Sequence, residues 1–502
     1  MKDVVVIGSG LAGISAAACL AREGFRVTVL EKNSSPGGRA RYFSSNGFTF
    51  DMGPSWYWMP DIFESFFQLF GKRVSDFYTL KRLDPSYRIF YGKNDFINFP
   101  AGMDAISQLF ESLERGSSTY LRTFLDKCAY KYERGMHEFV YLSKLSWKQL
   151  TDLRLLTDVR KLNLFQTHAS YVRKFFKHPR ILGMLQFPVL FLGAPSEKIP
   201  ALYSLMNYAD IALGTWYPMG GMWRMVEAMV KIAEDNGVGF NYDHPVSHII
   251  VKDGAVTGVE SGGKCYKADY VVAAADYRHV EQDLLRPKYR QYTSSYWEKR
   301  VLAPSCLIFY IGLRGRLENL GHHTLFFDGD IQQHTSAIYE NARWPSAPHF
   351  YVCAPSKTDP SVAPPGCENL FILVPIAAGL QDEESTREKY FKLVVRRIEE
   401  LTGELIHGKI IFKRSYAHND FTSDYNAFKG NAYGLANTLL QTANFRPGVA
   451  STRVQGLYFA GQFTVPGPGV PPAIISGQVS ARAILEHAQR NGFFSTNEKT
   501  RA

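Results

Sequence analysis

A glycine-rich turn, Gly8-Ser9-Gly10-Leu11-Ala12-Gly13, stands about twenty residues ahead of an acid, Glu31. These residue types at this spacing suit the binding of a dinucleotide. Gly8 permits a tight turn, Gly10 lets a pyrophosphate approach the backbone, and Gly13 allows a helix to pack closely on a strand. The free N–H groups and positive dipole end of that helix favour phosphate oxygens. Glu31 is placed to accept hydrogen bonds from ribose hydroxyls, and its charge disfavours a nucleotide carrying a further phosphate there.

The flanking pattern supplies the elements this chemistry requires. Val4-Val5-Val6-Ile7 is a continuous β-branched run of the kind buried in a parallel sheet. A helical pattern follows through Glu23, Gly24 stops it, and Arg26-Val27-Thr28-Val29-Leu30 reads as a second strand ending at Glu31. A bare G-x-G-x-x-G is weak evidence. Set between strand and helix, with the acid at the right offset, it is a specific one. Beyond Glu31 a second glycine pair and an arginine, Gly37-Gly38-Arg39, exceed what a nicotinamide site needs; the plain alternative is a loop turn with a solvated arginine.

Similar signals recur later in the chain. Pro218-Met219-Gly220-Gly221 reads as opening a helix that Asn236-Gly237 ends, with a strand from Gly239 to Tyr242. His248–Val251 and Ala255–Val259 flank Lys252-Asp253-Gly254 as a hairpin, and Ala268–Ala275 is a further buried strand. Near the C-terminus Leu457-Tyr458-Phe459-Ala460-Gly461 reads as a strand. A bare loop, Gly467 to Pro472, follows, and a helix beginning Ile474-Ile475-Ser476-Gly477.

Composition narrows the partners. With 502 residues and 45% hydrophobic residues, several domains with a large core are expected. The net charge of +10 suits anionic ligands or an anionic membrane surface. No recognition helix, finger or RNA-binding signature supports nucleic acid. Six cysteines lie without any C-x-x-C pair, which predicts buried thiols in a reducing compartment rather than disulfides or zinc. No metal site is expected, and His322-His323 reads as a surface loop pair. No Ser/His/Asp or Cys/His constellation stands out. The apolar start is too short for a signal peptide, and the apolar stretch Ile181 to Ala194 is interrupted by Gln186 and Pro188, so no membrane span is expected.

The Gly-Gly-Arg segment after the ribose acid resembles that of the glutathione-reductase-like flavoproteins of the amine oxidase and carotenoid desaturase type. The resemblance implies that Gly37, Gly38 and Arg39 run beside the pyrophosphate of FAD. Stretches along nearly the whole chain, "FTFDMGPSWYWMPDIF" from Phe48, "FPVLFLGAPSEKIPALYSLMNYADIALGTWYPMGG" from Phe187, "FTSDYNAFKGNAYGL" from Phe421 and "PGPGVPPAIISG" from Pro466, are similar to the bacterial phytoene desaturase family. That likeness implies an α/β chain with a discontinuous Rossmann-like FAD-binding domain (1–62, 218–285 and 450–490). It implies a mainly helical, substrate- and membrane-facing insert (63–217), an α+β substrate domain (286–449) and a flexible tail (491–502). The implied FAD contacts are Gly8, Gly10, Leu11, Ala12, Gly13, Glu31, Lys32, Gly38, Arg39, Pro54, Ser55, Val246, Gly461, Gln462, Pro471 and Ile474. Val246 falls where that family's backbone meets the adenine. With no cysteine after Cys367 to anchor a thioether, FAD is expected to be noncovalent. Gln462 and Pro471-Pro472 depart from the family's commoner residues.

The activity implied is desaturation of a C40 or similar polyene, foremost phytoene towards neurosporene or lycopene, by hydride transfer to flavin with loss of a proton. A later-step 3,4-desaturase, a carotenoid isomerase, an amine- or porphyrinogen-oxidising relative and a non-enzymatic carrier of prenylated proteins are the alternatives. Asp51 is the candidate general base; the alternative is a structural acid holding the Gly53-Pro54 turn. Quinone or oxygen is the expected electron acceptor. Between Asp158 and Glu197 no acidic residue occurs, while Arg160, Lys161, Arg173, Lys174, Lys177 and Arg180 alternate with Leu162, Leu164, Phe165, Phe175, Phe176, Ile181, Leu182 and Phe187. That mixture predicts peripheral attachment to anionic lipids on the inner face of the cytoplasmic membrane, with the rest of the protein cytoplasmic.

Overall fold

In the computed structural model, residues 1–141, 162–190, 192–442 and 445–490 are described. The expected strand Asp3–Ile7 forms, and its β-branched run Val4–Ile7 is buried. It lies at the centre of a five-stranded parallel sheet ordered Leu457–Phe459, Tyr270–Ala273, Asp3–Ile7, Arg26–Leu30, Gly239–Asn241. The chain leaves the central strand toward Arg26–Leu30 on one side and returns as Tyr270–Ala273 on the other. Gly8 therefore sits at a topological switch point, where open α/β sheets bind ligands.

The first helix, Leu11–Arg22, packs against the last, Val470–Arg490. Their approach explains two glycines. A Cβ on Gly13 would stand 2.0 Å from the Gly8 carbonyl oxygen, and one on Gly477 would stand 2.3 Å from that of Ala12. Ser15 Oγ donates to the Ile474 carbonyl at 2.7 Å and ties the pair. The last helix starts at Val470, four residues earlier than the sequence suggests. Pro471 and Pro472 fall in its first turn, where a missing N–H costs nothing. The Pro-Pro pair thus starts the helix.

A seven-stranded sheet is ordered Ile410–Tyr416, Ser305–Arg314, Cys367–Ile376, Phe350–Cys353, His323–Phe326, Tyr87–Gly92, Asp95–Phe99. Its last two strands come from the segment expected to be a separate helical insert; Arg88 pairs in parallel with Thr324. The boundary expected near residue 217 is crossed by this sheet, because Tyr87, Ile89 and Phe99 bury themselves against the same core as Tyr351 and Leu373. Helices Ser117–Tyr132, Pro179–Leu190 and Leu205–Ile211 cover that core.

Two expectations are corrected here. In the aromatic, basic segment Leu162, Phe176, Ile181 and Phe187 are buried, Leu164, Phe175 and Leu182 are part-buried, and Phe165 is 85% exposed. Most of its apolar side chains serve the core. Arg180 is paired with Asp95 at 2.6 Å, whereas Arg173, Lys174 and Lys177 remain at the surface. Arg160, Lys161 and the tail 491–502 lie outside the described residues. Among the cysteines, Cys19, Cys128, Cys306 and Cys353 are buried, but Cys265 is exposed and Cys367 is partly so; all six are free. No described helix is long and apolar enough to cross a membrane.

Candidate functional site

At the switch point a cavity of about 490 Å³ draws its walls from distant parts of the chain: 7–12, 30–40, 52–54, 245–246, 274–284, 421–433 and 460–473. Gly8 takes φ +97°, a left-handed turn that a side chain would strain. The first helix then begins with no side-chain cap, and its first residues, Leu11 and Ala12, line the cavity. A Cβ on Gly10 would meet nothing within 4 Å, so this glycine is bare toward open space. The parallel bridge from Gly10 to Gly37, and the Gly37 N–H to the Ser9 carbonyl at 2.8 Å, lay the Gly-Gly-Arg loop alongside that helix end.

Arg39 is the cation of this region. It makes no ion pair among the described residues. Its Nη2 donates to the Asn431 carbonyl at 3.1 Å, while its buried Nε has no partner. Its guanidinium lies 5.1 Å from the centre of the Tyr425 ring. Burial lowers its pKa against the opposing charge of Asp276. Glu31 is buried at the end of its strand. One oxygen accepts from Ser9 N and Oγ (2.8 and 2.9 Å), the other from Asn33 N and Nδ2 (both 2.9 Å), which fixes the carboxylate at the cavity wall. Gln462 stands between Arg39 and Asn431; with its oxygen toward Arg39 it accepts from Nη2 at 3.2 Å and from Gly434 N at 3.1 Å. Gly461, at φ +113°, is open on the side where a Cβ would project.

An uncapped helix end, a bare Gly10, and a buried guanidinium with an idle Nε are what a pyrophosphate requires. The acid at the strand end suits a ribose. The cavity lining also includes the apolar side chains of Ile308, Leu373, Phe421 and Phe463. These residues fit FAD: Glu31 would hold its ribose and Arg39 with the helix end its pyrophosphate.

Of the residues expected to touch it, Gly8, Gly10, Leu11, Ala12, Glu31, Lys32, Gly38, Arg39, Pro54, Val246, Gly461 and Gln462 line this cavity. Gly13, Ser55, Pro471 and Ile474 do not. Gly13 is pressed on Gly8, Ile474 is fully buried between the two helices, Pro471 is turned into the helix start, and Ser55 faces Tyr351. From the tail loop, Gly469 and Val470 reach the wall in place of Pro471. Sequence reasoning missed Asp276 and Asn431. Asp276 accepts from the N–H groups of His279 and Phe428, both at 3.2 Å, and burial raises its pKa. Nothing local marks either residue, although Asn431 lies inside one of the family-like stretches.

Asp51 is corrected more sharply. Its carboxylate is turned away from this cavity and accepts from Met222 N (2.8 Å) and Trp223 N (3.0 Å), at the start of the helix Trp223–Asp235. Burial pushes its pKa up to about 6 in spite of those two hydrogen bonds. It holds a helix end, rather than the Gly53-Pro54 turn or a reacting atom.

His322 and His323 are likewise not a surface pair. Both are buried, and with Cys353 they place three metal-capable atoms within 4.8 Å of one another. Burial brings the His322 pKa down to about 3 and that of His323 far below the ordinary imidazole range. Around them Trp56, Trp58, Tyr87, Phe187 and Tyr351 form an aromatic wall with ring centres 5.0–6.1 Å apart.

The chain matches the sequence profile of the family described as flavin containing amine oxidoreductase over residues 11–485. It is 42% identical over 487 residues to a carotenoid 3,4-desaturase of Haloarcula japonica, covering 97% of this chain and 98% of that one. It is 32% identical to a zeta-carotene-forming phytoene desaturase of Myxococcus xanthus, covering 98% and 95%. Among solved structures, an oxidoreductase from Methanosarcina mazei aligns with a TM-score of 0.61 at 16% identity over 96% of this chain and all of that one. A putrescine oxidase variant aligns at 0.59 and 13% identity, covering 97% and 99%. These last two likenesses concern the fold.

Proposed function

We propose, from the premise that this chain belongs to the flavin-containing amine oxidoreductase family, that it is an FAD-dependent desaturase that introduces carbon–carbon double bonds into a carotenoid. The observation that carries this reading is a single cavity whose lining combines the glycine-rich nucleotide turn and Arg39 with the apolar side chains of Ile308, Leu373, Phe421 and Phe463. A polyene offers no group for a hydrogen bond, so shape and apolar lining must hold it.

When bound, FAD supplies a two-electron acceptor that takes a hydride from an allylic carbon and passes its electrons on to a quinone or oxygen. The chain's own residues do the rest. Arg39 and the first helix's N-terminus neutralise the pyrophosphate, Glu31 fixes the ribose, and Gly461 and Gly469 leave the approach to the ring free of side chains. The apolar wall excludes water and aligns the C–H bond.

The step served follows the relative at 42% identity: desaturation at the 3,4-position of a carotenoid that already carries a long polyene. Desaturation of phytoene is the second reading, favoured by the Myxococcus relative. Expression in hosts that accumulate either phytoene or a red carotenoid, followed by pigment spectra and chromatography, separates them. New absorbance to the red only in the second host supports the later step, colour from phytoene supports the earlier one, and neither sinks the desaturase reading.

The protein works peripherally, on the inner face of the cytoplasmic membrane, where its substrate is dissolved. Phe165 is exposed, and so are Arg173, Lys174 and Lys177 of the same segment, residue types suited to anionic headgroups.

A further inference from the structure

Two strands of the seven-stranded sheet bring together three side chains that the nucleotide site does not use. His323 pairs in register with Cys353, and His322 directly precedes it. One donor atom from each of the three lies within 4.8 Å of the other two. All are buried: His322 is 7% exposed, His323 0% and Cys353 3%. None of them lines the cavity at the switch point. Cys353 opens instead to a small separate pocket with Asp51, Ser55 and Tyr217.

The hydrogen bonds around the two imidazoles decide which nitrogen stays free. Tyr351 donates its hydroxyl hydrogen to Ser55 Oγ at 2.9 Å, so its oxygen accepts from His323 Nδ1 at 2.6 Å. His322 Nδ1 meets Thr358 Oγ1 at 2.7 Å. The Nε2 of each ring is buried and has no partner among the described residues. A buried polar atom without a partner is costly, and here two occur on consecutive residues beside a thiol. Metal-bound histidines hydrogen-bond their other ring nitrogen to an oxygen in this way, which fixes tautomer and ring orientation. The two rings are 4.5 Å apart at 71°. His323 is stacked on Trp56 with ring centres 4.0 Å apart, a contact that uses the ring face and not the edge carrying Nε2.

We infer that His322, His323 and Cys353 bind a single soft transition-metal ion through the two Nε2 atoms and Sγ, and that copper(I) is the ion they suit. Donors held about 2.0–2.3 Å from one ion stand ~3–4 Å apart, so the trio draws together by about an ångström on binding. Thiolate and imidazole donors select copper(I) or zinc over magnesium or calcium. Charge decides between those two. Two neutral imidazoles, one thiolate and a monovalent ion sum to zero, which a dry site tolerates. Zinc would leave a positive charge and seek a fourth ligand, and among the described residues no fourth histidine, cysteine or carboxylate joins the group. As the metal–sulfur bond forms the S–H bond breaks; sulfur keeps the electron pair and the proton passes to the buffer, with no change of oxidation state. The ion clips strand His323–Phe326 to strand Phe350–Cys353, and this role holds whether or not the chain is a desaturase.

The test uses full-length protein carrying Cys265→Ser, which removes the exposed thiol. It is titrated anaerobically with copper(I) against a coloured copper(I) chelator. Because the site is buried, a second sample is expressed in copper-supplemented cells and its metal content is measured after desalting. One equivalent of copper is expected in both, with a rise in melting temperature. Cys353→Ser and His323→Asn should each weaken copper(I) by at least ~10²-fold, and Thr358→Val by about 10-fold through the lost ring contact. Should a ligand variant fail to fold, X-ray absorption of the parent's bound copper gives an independent readout, one sulfur and two imidazole nitrogens being expected. Less than a fifth of an equivalent in both samples overturns the site. Copper retained by folded Cys353→Ser, or an absorption spectrum lacking sulfur, shows an adventitious ion only and overturns it too, as does binding of zinc but not copper(I). No desaturation assay enters, so this inference and the desaturase reading fail separately.

Discussion

Replacing Asp51 by Asn tests whether this acid holds a helix or performs chemistry. Its pKa rises from 3.8 to about 6 in the folded protein, so the native state binds the proton more tightly than the unfolded chain across that interval. The stability conferred by the protonated form is lost as pH rises from about 4 to 6. Two pH units at about 1.4 kcal/mol each make the ionised carboxylate cost ~3 kcal/mol at pH 7. Asn removes that cost. It keeps one acceptor for Met222 or Trp223 and turns an NH₂ toward the other N–H, which costs about 1–3 kcal/mol. The terms nearly cancel, and Asp51→Asn should lie within ~2 kcal/mol of the parent at pH 7.

At pH 5 the ionisation cost has fallen to about half, so the variant should look ~1.5 kcal/mol worse relative to the parent than at pH 7. In thermal melts at fixed scan rate this is a shift of about 1–3 °C between the two pH values. Desaturation should change less than tenfold. A fall of 10²–10⁴ in turnover with melting curves that superimpose at both pH values would refute the helix-holding role and restore Asp51 as a base. Asp51→Ala strands both N–H groups and should also weaken FAD binding. The helix start braces the Gly-Gly-Arg loop: the Trp223 ring is 3.0 Å from where a Gly37 Cβ would stand, and it packs on Tyr42 at 4.7 Å.

Three further outcomes follow from the nucleotide half and the surface. Gly10→Ala should leave the flavin-free protein's melting temperature unchanged yet lower its affinity for FAD, since the new methyl meets only cavity; Gly13→Ala, 2.0 Å from a carbonyl, should give insoluble or flavin-free protein. Titration by flavin fluorescence distinguishes these from equal behaviour of the two variants, which the packing forbids. Arg39→Ala should weaken FAD by roughly 10–150-fold, the equivalent of about 1.5–3 kcal/mol for a charge-assisted contact, and unchanged retention on a desalting column would count against a pyrophosphate at this site. Phe165→Ser combined with Lys174→Glu and Lys177→Glu should cut sedimentation with anionic vesicles at least tenfold, and added salt should do so for the parent; binding indifferent to both would remove the membrane proposal.

The nucleotide half was legible because backbone sterics dictate its residues. The turn at Gly8 and the helix-to-strand contact at Gly13 leave no alternative side chain, and both appear as spacing in one short stretch. The second strand and its terminal Glu31 followed from the continuous apolar pattern. What escaped notice depends on partners far away in sequence. Asp51 finds its N–H donors 171 residues later. Asp276 and Asn431, 155 positions apart, meet only in the fold, where Asn431 Nδ2 donates to Asp276 at 3.5 Å. His322-His323 reads as surface from local polarity, and only strand pairing with Cys353 shows it buried. The basic and aromatic segment misled for a related reason. Composition could not say that Phe176, Ile181 and Phe187 turn inward while Phe165 turns out. Pro471-Pro472 reads as loop because proline interrupts helices in general, yet a first turn accepts it.

The protein also distributes charge in a way that residue types alone conceal. Outside the cavity lining, the buried aromatic cluster around Trp56 and Tyr87 holds Asp210 and His323, with His322 beside it, and a count of polar residues would make it look charged. Burial reverses that. Asp210, donated to by Tyr87 at 3.0 Å, is pushed up to about 7, and His322 is brought down to about 3. His323 is neutral for the same reason, and burial raises the tyrosines of this cluster, Tyr87 and Tyr351, well above their ordinary value. Near neutral pH the two histidines and the tyrosines are therefore uncharged, while Asp210 is poised near its midpoint with the Tyr87 hydroxyl donating to it. In the cavity Arg39 makes no ion pair among the described residues, though Asp276 lies close enough to act on its charge. A cofactor pyrophosphate near Arg39 would thus have its charge answered, while a hydrocarbon would find apolar lining such as Ile308 and Leu373 in the same cavity.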